Sequence, residues 1–549
     1  MDIHHTQAPA LPNSRTTVKS VLMWGIQALC LLAWLAQLLI DRSSENLIAA
    51  TLVLASTSLL VQYLRVSAAM TTHPLSSFAL LGFSASSQFI SLLAQSADGA
   101  PFVQYLRAPV LTFTVLAIVH VTAVAAHFTY RNFTPLSDTS TFIAQKIYGP
   151  LQLHRIPTPL ALWIFAGIGL SATVMGGGAS GDVGGKILAG FTYFIWAPYL
   201  IPLYMSVVGK SYCNRKQQLS FLSIHTLAII AIALIKNYRA VLFAAPVQLI
   251  FLFTIYYCRG TTPVSKKFLQ RTIASAALGL FLLPIMADIV TAMEIARAGR
   301  DKSTPMEMVE KTIETFADKP GLQKYRDEGA LSILLKPYDE RYLSNPLFGR
   351  LTETKFHDNM LYFGSLFGSE DRERLIDNQI NKIIAIIPQN FLDFLGIKLK
   401  KDDYLYSNGD FYASLNHGGA LGGYATGSIW ADLVVVFGDW FPIITFIMLT
   451  PVFIFMDALS RFGKGYFICS APLCAMWPLY LYGIGAESIA GKVNQLTRGT
   501  LQQVVLYAVM ALITAAVLQL FRRQAFVPLG NASASNAEPQ VTTRPLEQG

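Results

Sequence analysis

The stretch LSSFALLGFSASSQFISLLAQ, residues 75–95, decides the topology of this chain. It is long enough to cross a bilayer as a helix, but Ser76, Ser77, Ser84, Ser86, Ser87, Gln88 and Ser91 lower its hydropathy. Small residues let helices approach closely in lipid, so the stretch reads as a membrane span. Were it not one, every later connection would change sides. Around it lie further apolar runs near 20–40, 47–65, 108–128, 158–177, 187–208, 219–236, 238–257, 270–292, 434–456, 466–486 and 501–521. The count comes to about twelve spans. The first run follows Arg15 and Lys19, lacks a small-residue cleavage site and is too long for a signal core, so it reads as a retained helix.

Composition agrees. Of 549 residues, 53% are hydrophobic and 14% charged, against roughly a quarter charged in a soluble domain. A soluble enzyme is excluded, and the fold class is an all-α polytopic membrane protein. The net charge of +9 is explained largely by sidedness, because short loops rich in Lys and Arg stay cytoplasmic. With the amino terminus inside, Arg65, Arg131, Lys146, Arg155, Lys210, Arg215, Lys216, Arg259, Lys266, Lys267, Arg271, Arg461 and Lys464 fall on the inner side, whereas Arg42, Arg107, Lys186, Lys236, Arg239, Lys492 and Arg498 fall outside. Both ends are therefore expected in the cytoplasm. The chain divides into an amino-terminal segment 1–19, a nine-helix membrane region 20–292, an extracytoplasmic segment 293–428, a three-helix region 429–521 and a polar tail 522–549 expected to be disordered.

Segment 293–428 is expected to be partly helical. Thr304-Pro305-Met306-Glu307 reads as a helix start with a capping box, and Ile376, Ile380, Ile383, Ile384 and Ile387 recur at helical spacing. The five cysteines, Cys30, Cys213, Cys258, Cys469 and Cys474, fall in spans or inner loops, so no disulfide framework is indicated. Cys469 and Cys474 read as residues of an apolar helix. Gly209-Lys210-Ser211 and Gly185-Lys186 lack the first glycine of a phosphate-binding loop, and no metal-binding helix motif occurs. No metal and no cofactor are expected. Gly176 to Gly181 reads as an exterior turn.

Candidate chemistry lies at the outer helix ends, where ionisable groups are costly and so often functional. Lys236-Asn237-Tyr238-Arg239 joins two spans almost without a loop; its cations suit a diphosphate or serve as snorkelling caps. Arg350, Lys355, His357 and Asp358 crowd a short stretch in which a histidine beside a carboxylate could act as a base, or which is a solvated run. His417 precedes Gly418, Gly419, Gly422, Gly423 and Gly427, a sequence suited to a closing loop or to plain turns. His120 and His225, inside apolar runs, are expected to bond between helices. Tyr404, Tyr406, Phe411, Tyr412, Tyr424 and Trp430 could stack on sugars or mark the membrane interface.

The run Ala425 to Leu433, closing in Val436-Phe437-Gly438-Asp439-Trp440, resembles the segment opening a late span in bacterial O-antigen and capsule repeat-unit polymerases, relatives of the O-antigen ligases. The Lys236 to Arg239 junction and the layout of many spans with one large late exterior loop are similar too. His417 is followed by Gly418, where the ligases carry Asn, Ser or Gln, which favours polymerase over ligase. The resemblance implies metal-independent glycosyl transfer at the outer face of the inner membrane. Donor and acceptor would be polyprenyl-diphosphate-linked oligosaccharides, a chain-length regulator and a flippase would be further partners, and nucleic acid would not. Lys236, Arg239, Arg350 and Lys355 would hold the diphosphate; His357 or His417 would take the hydroxyl proton; Asp358 would orient a histidine; Tyr424, Trp430 and Asp432 would meet the sugar. The alternatives are an O-antigen-ligase-type transferase, a polysaccharide or lipid-oligosaccharide transporter, and a non-catalytic scaffold of an export complex; a transporter would be expected to show paired halves, and no internal repeat is evident.

Overall fold

The computed structural model describes residues 17–175, 190–209, 211–236, 249–258, 265–297, 305–332, 338–343, 345–423, 425–463, 466–469 and 484–527. Among them, eight helices are long and apolar enough to cross a membrane: Val18–Ile40, Ser44–Val66, Pro74–Ala97, Pro109–Asn132, Arg215–Ile235, Lys266–Ala296, Ile429–Ala458 and Ile489–Leu520. The chain is a helical membrane protein. Leu32, Leu39, Ile224, Leu512 and Leu520 stand exposed on these helices, where a water-facing surface would be polar and a lipid-facing one apolar.

The remaining expected spans differ from simple helices. Residues 158–177 give the shorter helix Pro159–Met175. Residues 187–208 contain a 3₁₀ helix, Thr192–Leu200, running into Ile201–Val208; Pro198 and Pro202 lack the amide hydrogen a regular helix requires there. Of 238–257, only Leu249–Cys258 is described. The stretch 466–486 begins as a strand: Tyr466–Cys469 pairs antiparallel with Ser460–Gly463, so Cys469 is not in a helix, while Cys474 lies outside the described residues, as do Gly176 to Gly181 and the tail beyond 527. The span expected at 434–456 starts earlier, at Ile429, and is interrupted by a 3₁₀ turn at Gly438–Trp440, where Gly438 takes φ +53°.

Helix Pro159–Met175 packs against Thr192–Leu200 through Gly169. A Cβ there would lie 2.2 Å from the backbone nitrogen of Ile195 and 2.7 Å from the carbonyl carbon of Phe194, and backbone cannot yield as a side chain does. Gly169→Ala is expected to cost about 1–3 kcal/mol, read as a lower thermal midpoint of the detergent-purified protein. An unchanged midpoint would show that these helices are not held in contact.

Helices from 305–332 and 346–417, here called the cap, pack against the spans: Pro305–Ala317 lies on Lys266–Arg297 and Arg215–Ile235, and Thr354–Ser365 on Pro109–Asn132 and Ile429–Phe437. Pro305–Ala317 starts at the expected proline, and Thr304 lies outside the described residues. Ser369–Ile386 carries the isoleucine repeat.

Candidate functional site

The cap is anchored where the serine-rich third span loses its regular pitch. Residues Ala85–Phe89 form one wide π turn, a form that recurs at functional positions and leaves carbonyls outside the usual ladder. The amide of Glu353 donates to the Ser86 carbonyl at 2.8 Å. Thr354 Oγ1 donates to the Ser87 carbonyl at 2.8 Å and lies 2.5 Å from Ser91 Oγ. These bonds seat helix Thr354–Ser365, which carries Lys355, His357 and Asp358 into the interior.

Asp358 is fully buried and holds the start of the Pro109–Asn132 span. It accepts from the amides of Arg107 (2.8 Å) and Ala108 (2.9 Å) and from Thr112 Oγ1 (3.3 Å). The first amides of a helix have no partner within it, and a carboxylate there also meets the positive end of the helix dipole. Lys355 Nζ completes the group, 3.2 Å from Asp358, and donates as well to the carbonyl of Tyr105. That carbonyl belongs to a residue with φ +68°, a backbone conformation a tyrosine adopts only when its surroundings impose it. Asp358 therefore caps a helix and does not orient a histidine, and Lys355 is spent inside the protein rather than offered to a diphosphate.

Asp432 does the same for the last span. It accepts from Asn408 Nδ2 (2.8 Å), Tyr412 Oη (3.0 Å) and the amide of Ile489 (3.1 Å), and is fully buried. Its expected place against a sugar is thus replaced by a capping role. Trp430 is also fully buried, its ring 5.3 Å from Phe83, so it offers no sugar platform. At the far end of its helix, Asp457 accepts from the amide (3.1 Å) and hydroxyl (2.6 Å) of Ser76 at the start of Pro74–Ala97. Three buried aspartates from distant sequence cap three spans.

His357 is buried, with Nδ1 2.9 Å from Ser428 Oγ and Nε2 3.9 Å from Glu353 Oε2. Burial, with His120 nearby, holds its imidazole down to about 3, and burial pushes the Glu353 carboxyl up to about 8 against the opposing charge of Lys492. Burial thus favours the neutral form of both groups. The two act oppositely on stability. His357, depressed from 6.5, makes stability fall as pH drops below 6.5 toward 3; Glu353, raised from 4.5, contributes stability that is lost as pH rises toward 8. Of these two groups only the glutamate acts between pH 6.5 and 8, where it contributes a decline in melting temperature with rising pH. Glu353→Gln should flatten this decline, and a slope equal to wild type would refute the assignment.

The accessible layer lies just outside. Arg107, which the sequence reading left out of the site, places its guanidinium 5.4 Å from the ring centre of Tyr362 and 5.6 Å from that of Phe363. His417 meets the same Phe363 at 5.1 Å, tilted 61°. It ends helix Asn408–His417, and Gly418 closes that helix with φ +66°. Burial first, then the Arg107 charge, keep the His417 imidazole below its ordinary value, leaving a neutral base beside a permanent cation. Arg107 could have been noticed from its sequence position, in an outer connection one residue before Ala108-Pro109.

The glycine-rich loop is bound down rather than left to close as a lid. Asp410 accepts from the amides of Gly422 (3.1 Å) and Ala425 (2.9 Å), and Glu340 from that of Thr426 (2.9 Å). Gly427 lies so near the Glu487 carbonyl that a Cβ would stand 2.4 Å from it. Lys236 Nζ donates to the carbonyls of Thr173 (2.5 Å) and Val174 (3.1 Å), closing the end of helix Pro159–Met175, so its ammonium has a capping role in place of the expected diphosphate one. Arg239 and Tyr424 lie outside the described residues, as does the side chain of Arg350. His225 bonds across helices to the Ile195 carbonyl (2.8 Å), and His120 bonds both to Leu116 in its own helix (2.7 Å) and across to the Gln88 side-chain amide of the third span (3.3 Å). Among the described residues, no group of three or more His, Cys, Asp or Glu is placed to hold a metal ion.

No protein-family model, curated protein or solved structure matches the chain.

Proposed function

We propose that the chain is a polysaccharide polymerase of twelve crossings, in the inner membrane of a bacterial cell with both ends cytoplasmic, joining polyprenyl-diphosphate-linked repeat units at the outer face. The reading rests above all on the Arg107–His417 pair, set on the rings of Tyr362 and Phe363 at the capped end. An acceptor hydroxyl attacks the anomeric carbon, its proton passes to His417, and the carbon–oxygen bond to the diphosphate breaks with the electron pair leaving on that group. Arg107 stabilises the departing charge through its planar fork of donors, and the two aromatic faces suit sugar rings. Holding donor and acceptor together contributes further through proximity. A chain-length regulator and a flippase would work alongside.

Helix-end contacts support the crossing count. Lys19, at the start of the first span, donates to the Ser67 carbonyl after the second (3.0 Å). The amide of Thr158, before Pro159–Met175, donates to the Ala525 carbonyl after the last span (2.8 Å), while Lys236 meets the other end of Pro159–Met175. Asp432 and Asp457 mark opposite ends of Ile429–Ala458, and Ile489 lies beside the Asp432 end, which favours a further crossing between Ala458 and Ile489. The Lys and Arg bias favours an extracytoplasmic cap.

Polysaccharide from cells lacking the gene, complemented with wild type, Arg107→Ala or His417→Gln, tests the reading. Each variant is expected to lose about 10²-fold or more of polymer formation while still inserted, leaving single repeats. Full-length polymer in both would sink it. Polymer retained on its lipid carrier would indicate a ligase instead. A second reading, export of lipid-linked oligosaccharide, draws on polar groups inside the bundle, where Asp457, Ser76, His127 and Tyr63 form one hydrogen-bonded chain. That reading predicts unpolymerised repeats trapped on the inner leaflet.

A further inference from the structure

Under the cap, polar atoms from several elements face the interior without a protein partner. Glu353 Oε2, His357 Nε2, Ser86 Oγ, His120 Nε2 and Trp430 Nε1 are all buried and make no hydrogen bond, and the His357, Ser86, His120 and Trp430 side chains belong to residues at most 2% exposed. They are neighbours. The Glu353 amide bonds the Ser86 carbonyl; Glu353 and His357 face each other at 3.9 Å; His120 stacks on Phe83 at 4.5 Å, and Phe83 adjoins Trp430; Ser428, two residues before Trp430, lies against His357.

Leaving one such atom unsatisfied costs about 1–3 kcal/mol, and five together are too costly for a dry interior. The separation of 3.9 Å is too long for a direct bond and suited to a bridged one. The chemistry of the lining specifies the occupant. Trp430 Nε1 can only donate. His120 Nδ1 faces the Leu116 carbonyl at 2.7 Å and the Gln88 side-chain amide at 3.3 Å; the shorter contact is to a pure acceptor, so Nδ1 carries the proton and Nε2 accepts. An occupant must therefore both give and take hydrogen bonds while remaining uncharged beside a neutral imidazole.

We propose that these unpartnered atoms enclose a binding site for hydroxyl groups, which bridge Glu353 Oε2 to His357 Nε2 and extend the bridge to Ser86 and His120. The proposal stands on the unpartnered atoms and the Glu353–His357 separation and does not depend on the polymerase reading. Water and a sugar hydroxyl share the required chemistry. The charged and titratable groups around Glu353 are His357 on its own segment, His120 on the fourth span and Lys492 on the last; burial favours the protonated form of Glu353, which can donate into the bridge.

The test is infrared difference spectroscopy of the full-length protein in nanodiscs, wild type minus Glu353→Gln, at pH 6.5. The expected result is a carboxylic-acid carbonyl band at the frequency of a hydrogen-bonded acid, shifting in D₂O within minutes. Ser86→Ala, a change small enough to leave packing intact, should move that band because it removes one member of the bridge; a purely structural serine would not. Addition of free maltose separates the sources: a further shift identifies sugar hydroxyl as an occupant, and an unmoved band identifies water. A band at the frequency of an unbonded acid, or one that Ser86→Ala leaves in place, overturns the proposal. So does absence of a protonated band.

Discussion

Asp358→Ala is expected to remove most of the folded protein. The substitution strips an acceptor from four donors at once: the amides of Arg107 and Ala108, Thr112 Oγ1 and Lys355 Nζ. Losing one partner of a buried ion pair costs about 3–5 kcal/mol, because the remaining charge is left uncompensated; two orphaned helix amides add to that. The loss should appear as a fall in the fraction of monodisperse protein after detergent extraction and in its thermal midpoint. The ammonium is the main cause, so Asp358→Ala combined with Lys355→Met should recover part of the loss. If the double variant is as unstable as the single one, the amides dominate and the ion-pair account fails. The same change should disturb the candidate site, since Arg107 hangs from the backbone that Asp358 holds.

Asp432→Ala is expected to be comparably damaging, at about 3–5 kcal/mol, for a different reason. No cation bonds to this carboxylate; three donors do, Asn408 Nδ2, Tyr412 Oη and the Ile489 amide, and each buried donor left alone costs about 1–3 kcal/mol. Asp432→Asn separates the contributions. One oxygen remains for Asn408 and Tyr412, while the new amide group faces the Ile489 amide donor to donor. Its cost should fall between those of wild type and alanine. Hydrogen exchange at the start of Ile489–Leu520 should rise in both variants, and protection equal to wild type would show that Asp432 is not the cap.

The two aspartates show how a sequence reading of charged residues misleads inside a membrane protein. Asp358 and Lys355 were legible as chemistry-bearing residues in an exterior segment, and their cost of burial did mark them as important. Nothing in the local sequence indicated that the partners they bond lie some 250 positions earlier. The serines of residues 75–95 misled in the other direction. They weakened the hydropathy of the span, yet Ser86 and Ser87 lie in the π turn whose carbonyls seat Glu353 and Thr354.

The sequence by itself determined the class of the molecule and the position of its principal spans, because burying a helix in lipid requires about twenty apolar residues and that requirement is local. It also indicated two helices of the cap, Pro305–Ala317 by its start signal and Ser369–Ile386 by its isoleucine repeat. Tertiary structure alone decided which polar groups are spent on architecture and which are brought together at the candidate site. A span that begins in the bundle leaves amides that must find acceptors, and those acceptors come from wherever the fold brings a carboxylate close. Asp358, Asp432 and Asp457 were taken in this way. Arg107 and His417 share the Phe363 ring although 310 positions separate them in the chain, and only the packing of the cap on the bundle makes them neighbours.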